Sequence, residues 1–158
     1  MLRILHIADA HLDTPFYGRE ESLRQQLRHA TWDAFSAAVD HAIDREVHGF
    51  LIAGDLFDND LLSFATERFL LEQMDRLNAA GIPVFYATGN HDPGRANYRA
   101  QQLNWPDNVH LFRGGSPETV PIGTEGWLTA AGHSTRKVEE NLAAEYGVAK
   151  GDRPHVAM

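Results

Sequence analysis

The 158 residues are enough for one domain with a sizeable core, since 43% of them are hydrophobic. The chain has no cysteine, which excludes a disulfide framework and a thiolate metal site. A net charge of −8 argues against a grip on nucleic acid through a broad basic surface. Acidic residues gathered at one point can nevertheless hold divalent cations, which attract phosphate. With no secretory pattern and no long apolar run, we expect a protein of the reducing cytoplasm without a membrane partner.

The first predicted strand covers residues 2–8, is rich in Leu and Ile, and ends at Asp9-Ala10-His11. Asp9 and His11 are two residues apart in an extended segment, so their side chains leave the same face. A carboxylate and an imidazole that converge in this way can bind one cation. The alternative is an aspartate that caps a loop and a histidine that packs.

Two further buried strands are predicted over residues 50–53 and 82–86, and each ends in a glycine turn at Gly54 or Gly89. Polar side chains follow both turns, at the carboxyl end of each strand. In open α/β sheets that is where ligands bind. The polar residues after these two strands are Asp55, Asp58, Asn90, His91 and Asp92.

Apolar residues at helical spacing predict one helix over residues 20–46 and another from about residue 61 to 80. The apolar stripe of the second helix is interpreted as core, with a dimer face as the alternative. No internal boundary is visible, so we expect one domain over residues 1–158. The remaining predictions are a short helix over 98–103, a strand over 109–112, a hairpin of 119–121 with 127–131, a helix over 138–146 and a strand from residue 154.

The polar residues after the three strands form one predicted site. Right-handed crossovers make the strands parallel and bring their carboxyl ends together. Oxygen and imidazole ligands without sulfur suit Mn, Fe or Zn. Two such ions, bridged by one carboxylate, would clamp a phosphate for in-line displacement.

These ordered motifs resemble those of the calcineurin-like binuclear metallophosphoesterases, D-x-H, G-D-x-x-(D/H) and G-N-H-(D/E). The resemblance implies an α/β fold in which a β-sandwich is flanked by helices, in α/β/β/α layers. It also implies a site with two divalent metal ions. Asp9 and His11 would bind the first ion, Asp55 would bridge both, and Asn90 would bind the second.

The same resemblance implies catalytic roles for His91 and Asp58. His91 would contact the substrate phosphate or protonate the leaving oxygen. Asp58 stands where the phosphatase branch keeps an aspartate that orients this histidine, whereas the meiotic-recombination nuclease branch often has a histidine there. Asp92 would support the ligands from behind.

The residues that flank the motifs are similar to those of bacterial DNA-repair exonucleases of the SbcD and YhaO kind, as in the run from His11 to Phe16. This likeness implies a metal-dependent phosphodiester hydrolase that cuts DNA in repair, with Mn²⁺ as the favoured metal and Fe or Zn as alternatives. The implied partner is a coiled-coil ATPase subunit of the SbcC or YhaN kind, and a homodimer is also considered. The alternatives are a small-molecule phosphodiesterase, a protein phosphatase, or a non-catalytic fragment that binds a partner.

Two family motifs, a later lone His and G-H-x-H, are not found. Gly132-His133-Ser134-Thr135 resembles the second only in part, because Thr135 replaces its last histidine, and we interpret His133 as a structural residue. The missing ligands are expected beyond Met158, in a catalytic domain of which this chain is the N-terminal part. We therefore expect little activity from the chain itself. The histidines interpreted as solvated or packed are His6, His29, His41, His48 and His110.

Overall fold

A parallel four-stranded sheet forms the centre of the protein, in the order β1-β2-β3-β4. A computed structural model describes residues 1–58, 62–147 and 151–158. All four strands lie close to their predicted positions. β1 stands at the edge of this sheet and is only partly buried, whereas β2 and β3 have neighbours on both sides. The strands are β1 (Ile4–Ile7), β2 (Gly49–Ala53), β3 (Val84–Ala87) and β4 (Val109–Phe112).

Two helices cover one face of this sheet. They are α1 (Glu21–Asp44) and α2 (Phe64–Ala79), and their buried side chains join those of β2 and β3 in one hydrophobic core. α2 begins after Ser63, whose side chain accepts a hydrogen bond from the amide of Thr66 at 3.2 Å, as an N-cap does. Residue 61, the predicted start of this helix, lies outside the described residues. Neither helix is both long and apolar enough to cross a membrane.

A second, three-stranded sheet packs on the opposite face. It consists of β5 (Glu118–Ile122), β6 (Gly126–Ala130) and β7 (His155–Ala157). β5 and β6 form the predicted antiparallel hairpin, and β7 pairs with β6 in parallel. Ile122 and Leu128 of this sheet are buried against Phe85 and Phe112 of the first sheet. The layers are therefore helices, parallel sheet and second sheet.

The helix predicted over residues 138–146 is wrong. The structure has only a short 3₁₀ helix at Leu142–Glu145, and none of its side chains is buried. A helix of this length needs an apolar face packed against the protein, because its few hydrogen bonds do not offset the cost of nucleation. The short helix predicted over residues 98–103 is present, as a 3₁₀ helix at Arg99–Gln102.

Candidate metal centre

The segments after β1 and β2 run side by side beyond the end of the sheet. The amide of His11 donates to the carbonyl of Asp55 at 2.9 Å, and the amide of Leu12 donates to the carbonyl of Leu56 at 2.8 Å. These backbone hydrogen bonds continue the parallel pairing of the two strands. They bring the first two predicted motifs together although α1 and β2 separate them in sequence.

Three of the predicted site residues have left-handed backbone conformations. The φ angles are 52° at Asp9, 44° at His11 and 49° at Asp55. For residues with a side chain this conformation costs about 1 kcal/mol or more, and it persists where the surrounding structure fixes it. Such residues cluster at functional sites, but Phe16 and Glu46, outside the predicted site, have the same conformation, so the roles of these three residues stay predictions.

Gly89 allows the third motif to approach the second. A Cβ atom at Gly89 would lie 2.1 Å from Oδ1 of Asp55, far inside van der Waals contact. The same carboxylate oxygen accepts a hydrogen bond from the amide of His91 at 2.9 Å. Glycine is therefore required here for close approach, and its effect is to place the Asn90-His91 segment directly over Asp55.

Asp92 links the second and third motifs through hydrogen bonds. Its carboxylate is buried and accepts five hydrogen bonds of 2.5 to 3.2 Å. Burial, and then the neighbouring carboxylates of Asp92 and Asp55, raise the pKa of the Tyr86 hydroxyl well above its usual value, so the hydroxyl stays a donor. Sequence reasoning gave Asp92 a supporting role and missed Tyr86. The donors are the hydroxyl of Tyr86 and the amides of Asp55, Leu56, Phe57 and Gly89.

Two groups of potential metal ligands share His11. In the first, Nε2 of His11 lies 3.8 Å from a carboxylate oxygen of Asp9 and 3.9 Å from one of Asp55. In the second, Nδ1 of His11 lies 3.9 Å from Oδ1 of Asp58, and His91 completes the group. Within each group the potential ligand atoms all lie within 4.8 Å of one another. Such spacing fits the coordination sphere of one ion.

Asp58 and His91 form a direct pair. Oδ1 of Asp58 lies 2.8 Å from Nδ1 of His91. Because a carboxylate only accepts hydrogen bonds, this contact places a proton on Nδ1 of His91. Nε2 takes no part in the pair and is available for a contact with substrate. The side chain of His91 is 40% exposed, whereas that of Asp58 is 19% exposed. The half-buried Asp58 is thus in hydrogen-bond contact with the more exposed His91, and the catalytic roles of the pair stay predictions.

A cleft of about 280 Å³ opens at this edge of the sheet, and three predicted ligands, Asp9, Asp55 and Asn90, line it. Among the described residues that line the cleft, none is a lysine or an arginine. Carboxylate, amide and imidazole groups without a competing cation are a donor set that suits divalent Mn, Fe or Zn. The residues present therefore fit the predicted ions, and the individual ligand roles stay predictions.

His133 also lines this cleft, although the sequence interpretation makes it structural. Its amide donates to the carbonyl of Thr88 at 2.7 Å, and its carbonyl accepts from the Thr88 hydroxyl at 2.8 Å. Its Nδ1 atom is buried without a hydrogen-bond partner. The sequence signal was the partial G-H-x-H motif, which we set aside.

Asp13 is a second residue that sequence reasoning did not assign. Its carboxylate accepts hydrogen bonds of 2.6 Å from the amide of Ser63 and from the hydroxyl of Thr66. Asp13 thereby attaches the loop that contains His11 to the first turn of α2. Its place two residues after the D-x-H motif was the available signal.

The histidines expected to be solvated or packed lie elsewhere. His48 accepts a hydrogen bond from the amide of Arg3 at 2.9 Å, and His110 lies 3.1 Å from a carboxylate oxygen of Glu118. The other three, His6, His29 and His41, are exposed.

The family model described as calcineurin-like phosphoesterase matches residues 2–154 of the chain. The chain belongs to this family. Its members are hydrolases with two divalent metal ions. A dimetal phosphatase from Danio rerio has a similar structure, with a TM-score of 0.53 and 17% sequence identity, over 89% of this chain and 48% of that one. This likeness confirms the predicted fold class.

Relatives in sequence include proteins named as nucleases. The metallophosphoesterase YhaO of Bacillus subtilis is 34% identical over 99% of this chain and 40% of its own length. One of the subunits of the SbcCD nuclease from the same species is 30% identical over 83% of this chain and 33% of its own length. The double-strand break repair protein Mre11 of Aeropyrum pernix is 38% identical over 58% of this chain and 21% of its own length. The chain thus spans less than half the length of these relatives.

Proposed function

We propose that this chain is part of a metal-dependent phosphodiesterase that cuts DNA during repair. The observation that carries the hydrolytic chemistry is the Asp58–His91 pair, held at 2.8 Å beside a group of carboxylate and imidazole ligands. The relatives named as a nuclease subunit and as double-strand break repair proteins support DNA as the substrate. The acidic chain would then approach DNA through bound cations and not through a basic surface.

The residues of the chain divide the work at this site. Asp9, His11, Asp55 and Asn90 would hold two divalent ions, for which Mn²⁺ is proposed. When bound, the ions would stabilise charge on the phosphate and activate a water molecule. His91, oriented by Asp58 through Nδ1, would face the substrate with Nε2. With both ring nitrogens protonated, it would donate a hydrogen bond to the phosphate or a proton to the leaving oxygen.

The experiment compares three substrates with Mn²⁺ and with a chelator: linear DNA, a chromogenic phosphodiester and a phosphoprotein. In any form of the protein with measurable phosphodiesterase activity, we expect metal-dependent cleavage of DNA that is lost in Asp55→Asn and kept in the matched surface variant Asp33→Asn. Asp33 is exposed on α1, far in sequence from the three motifs. Cleavage of the phosphoprotein alone would contradict the proposal.

A phosphatase is the second candidate. Asp58 is the aspartate expected of the phosphatase branch, and the structural neighbour is a dimetal phosphatase. The same three-substrate comparison separates the two candidates. A non-catalytic module is tested by thermal unfolding, because a scaffold without a metal site shows no rise in melting temperature with Mn²⁺.

The partners and the location remain proposals as well. We propose a coiled-coil ATPase as the partner subunit, supported by the name of the relative that is one subunit of SbcCD. A homodimer and a cytoplasmic location are proposed from sequence. Size-exclusion chromatography with light scattering, with and without the ATPase, measures both assemblies directly.

A further inference from the structure

The run of residues after His11 contains a carboxylate that the proposed function does not use. Oδ2 of Asp13 accepts a hydrogen bond from the amide of Ser63 at 2.6 Å, and Oδ1 accepts one from the hydroxyl of Thr66 at 2.6 Å. The Ser63 hydroxyl lies 3.1 Å from Oδ1. A carboxylate is favourable at this end of a helix, because it meets amides without a helical partner and the positive end of the helix dipole. Both oxygens of Asp13 are therefore bonded to the first turn of α2.

The helix α2 is a firm support for this attachment. Thr66 is fully buried, and Leu70, Met74 and Leu77 belong to the hydrophobic core. Any movement of the first turn would disturb close packing, which protein interiors resist. A functional group that is held by such an element is positioned better than one on a loop without support.

The same loop is bonded on its other side to the segment after β2. Leu12 is fully buried, its amide donates to the carbonyl of Leu56 at 2.8 Å, and its carbonyl accepts from the amide of Asp58 at 3.2 Å. The hydroxyl of Thr14 donates to the carbonyl of His11 at 2.7 Å, within the loop. The loop thus has two attachments, one to the segment that contains Asp58 and one to α2.

The position of His11 decides which groups its ring can contact. The rings of His11 and His91 meet edge to face, with their centroids 4.9 Å apart and their planes at 89°. Nδ1 of His11 lies 3.9 Å from Oδ1 of Asp58, the same oxygen that contacts His91. A misplacement of about 1 Å in such a group can lower a catalytic rate about 100-fold. The attachment of the loop therefore matters to all three side chains.

We propose that Asp13 is a positioning residue of the candidate metal centre, which holds His11 against Asp58 and His91 by anchoring its loop to α2. The inference rests on the proposed function, in which His11 binds a divalent ion, and it adds a residue outside the proposed ligand set. The carboxylate of Asp13 is directed to α2, so it acts through His11 and not on the substrate. A carboxylate that only stabilised the fold would leave the position of His11 unchanged on its removal.

Nuclear Overhauser effects between ring protons measure the position of His11 in the protein without metal. The edge-to-face contact predicts such an effect between His11 and His91 in the unchanged protein. We expect Asp13→Ala to lose it. The rings of His110 and Phe112, with centroids 4.6 Å apart, are the internal control and are expected to keep their effect in the variant.

Two further variants separate position from stability. Asp13→Asn is expected to restore much of the ring contact, because its amide oxygen still accepts from Ser63 and its amide nitrogen can donate to the Thr66 hydroxyl. Ile82→Val is the matched control, since it removes one buried methylene beside the other end of α2. It is expected to lower the melting temperature and to leave the contact between the two histidine rings intact.

Calorimetric titration with Zn²⁺ measures the consequence for metal binding. Residues that orient a metal ligand typically change the affinity about 10–100-fold when they are removed. We therefore expect Asp13→Ala to bind zinc at least about tenfold more weakly than the unchanged protein. Ile82→Val is expected to bind zinc as the unchanged protein does.

The outcomes distinguish this inference from the proposed function. If Asp13→Ala lowers only the melting temperature, as Ile82→Val does, the inference is overturned, and it is also overturned if the unchanged protein lacks the contact between His11 and His91. If that contact is lost while zinc binding is unchanged or absent throughout, Asp13 positions His11 and the proposed metal role of His11 is wrong. If Asp13→Ala does not fold, Thr66→Val, which removes one hydrogen bond of Asp13, replaces it in both measurements.

Discussion

The two sides of the candidate centre are held in place by different means. Around His11, His91 and Asp58, side chains fix one another and fix the backbone, as Asp92 does with five hydrogen bonds. Around Asn90 and His133, the backbone does most of the holding, through the hydrogen bonds between His133 and Thr88. The first side is thus built for fixed geometry of its functional groups. The second side is held mainly by contacts between the segments that carry Thr88 and His133.

The largest expected effect is on catalysis at the first side. In any form of the protein with measurable phosphodiesterase activity, His91→Ala is expected to lower the rate about 10²–10⁴-fold, because an acid or phosphate contact is lost. Mn²⁺ affinity is expected to stay, since His91 is proposed to face the substrate. Kinetics and calorimetric titration measure the two quantities separately.

Asp58→Asn is the companion variant. It is expected to lower the rate less than His91→Ala, since it removes only the group that orients the imidazole. If either variant instead weakens Mn²⁺ binding strongly, the group of His11, Asp58 and His91 is a metal site and the proposed division of roles is wrong.

The next effect concerns stability on the same side. Asp92→Ala is expected to lower the free energy of unfolding by about 3 kcal/mol or more, because it leaves five buried donors without their acceptor. Urea denaturation measures the change. Asp33→Ala, at an exposed position on α1, is the control and is expected to change stability by about 0.5 kcal/mol or less. A small effect of Asp92→Ala would show that the two motifs hold together without it.

A smaller effect is expected from a methyl group at the second side. In Gly132→Ala, the new Cβ would lie 2.0 Å from the Phe112 carbonyl oxygen and 2.4 Å from the Thr88 hydroxyl oxygen. Overpacking of this kind is expected to lower the free energy of unfolding by about 1–3 kcal/mol, because the Phe112 carbonyl and the Thr88 side chain have to move. Gly147→Ala is the control, since nothing lies within 4 Å of its Cβ position. Equal melting temperatures for the two variants would contradict the importance of backbone packing here.

The smallest effect is a change in the dependence of stability on pH. Burial and the nearby carboxylates raise the pKa of Tyr86 in the folded protein, so the folded state keeps a proton that the unfolded state releases near pH 10. The stabilisation is complete below about pH 10 and is lost as the pH rises toward the folded-state pKa. Tyr86→Phe is expected to lose about 1.5 kcal/mol at neutral pH and to show a flatter decline above pH 10. Urea titrations at pH 8 and pH 11 measure this, and parallel declines would be the contrary result.

Prediction from sequence worked where the signal is local and repeated. The first four strands, the two long helices and the hairpin have strong periodicity and glycine turns, and they lie close to their predicted positions. The helix over residues 138–146 failed because its pattern has no buried face in the structure. The placement of the three motifs at one edge also followed from sequence, because crossovers between parallel strands are right-handed and short.

The sequence by itself determined the parallel strands, the turns after them and the chemical types of the residues at their ends. These depend on alternation, on glycine and on connection length, which are all local. Only the tertiary structure decided which donors meet the Asp92 carboxylate and on which side of the cleft His133 lies. Those contacts join residues 36 and 45 positions apart, as in Leu56 with Asp92 and Thr88 with His133. No local pattern encodes these contacts, because they depend on how the segment after β3 packs against the segment after β2 and against the segment after β6.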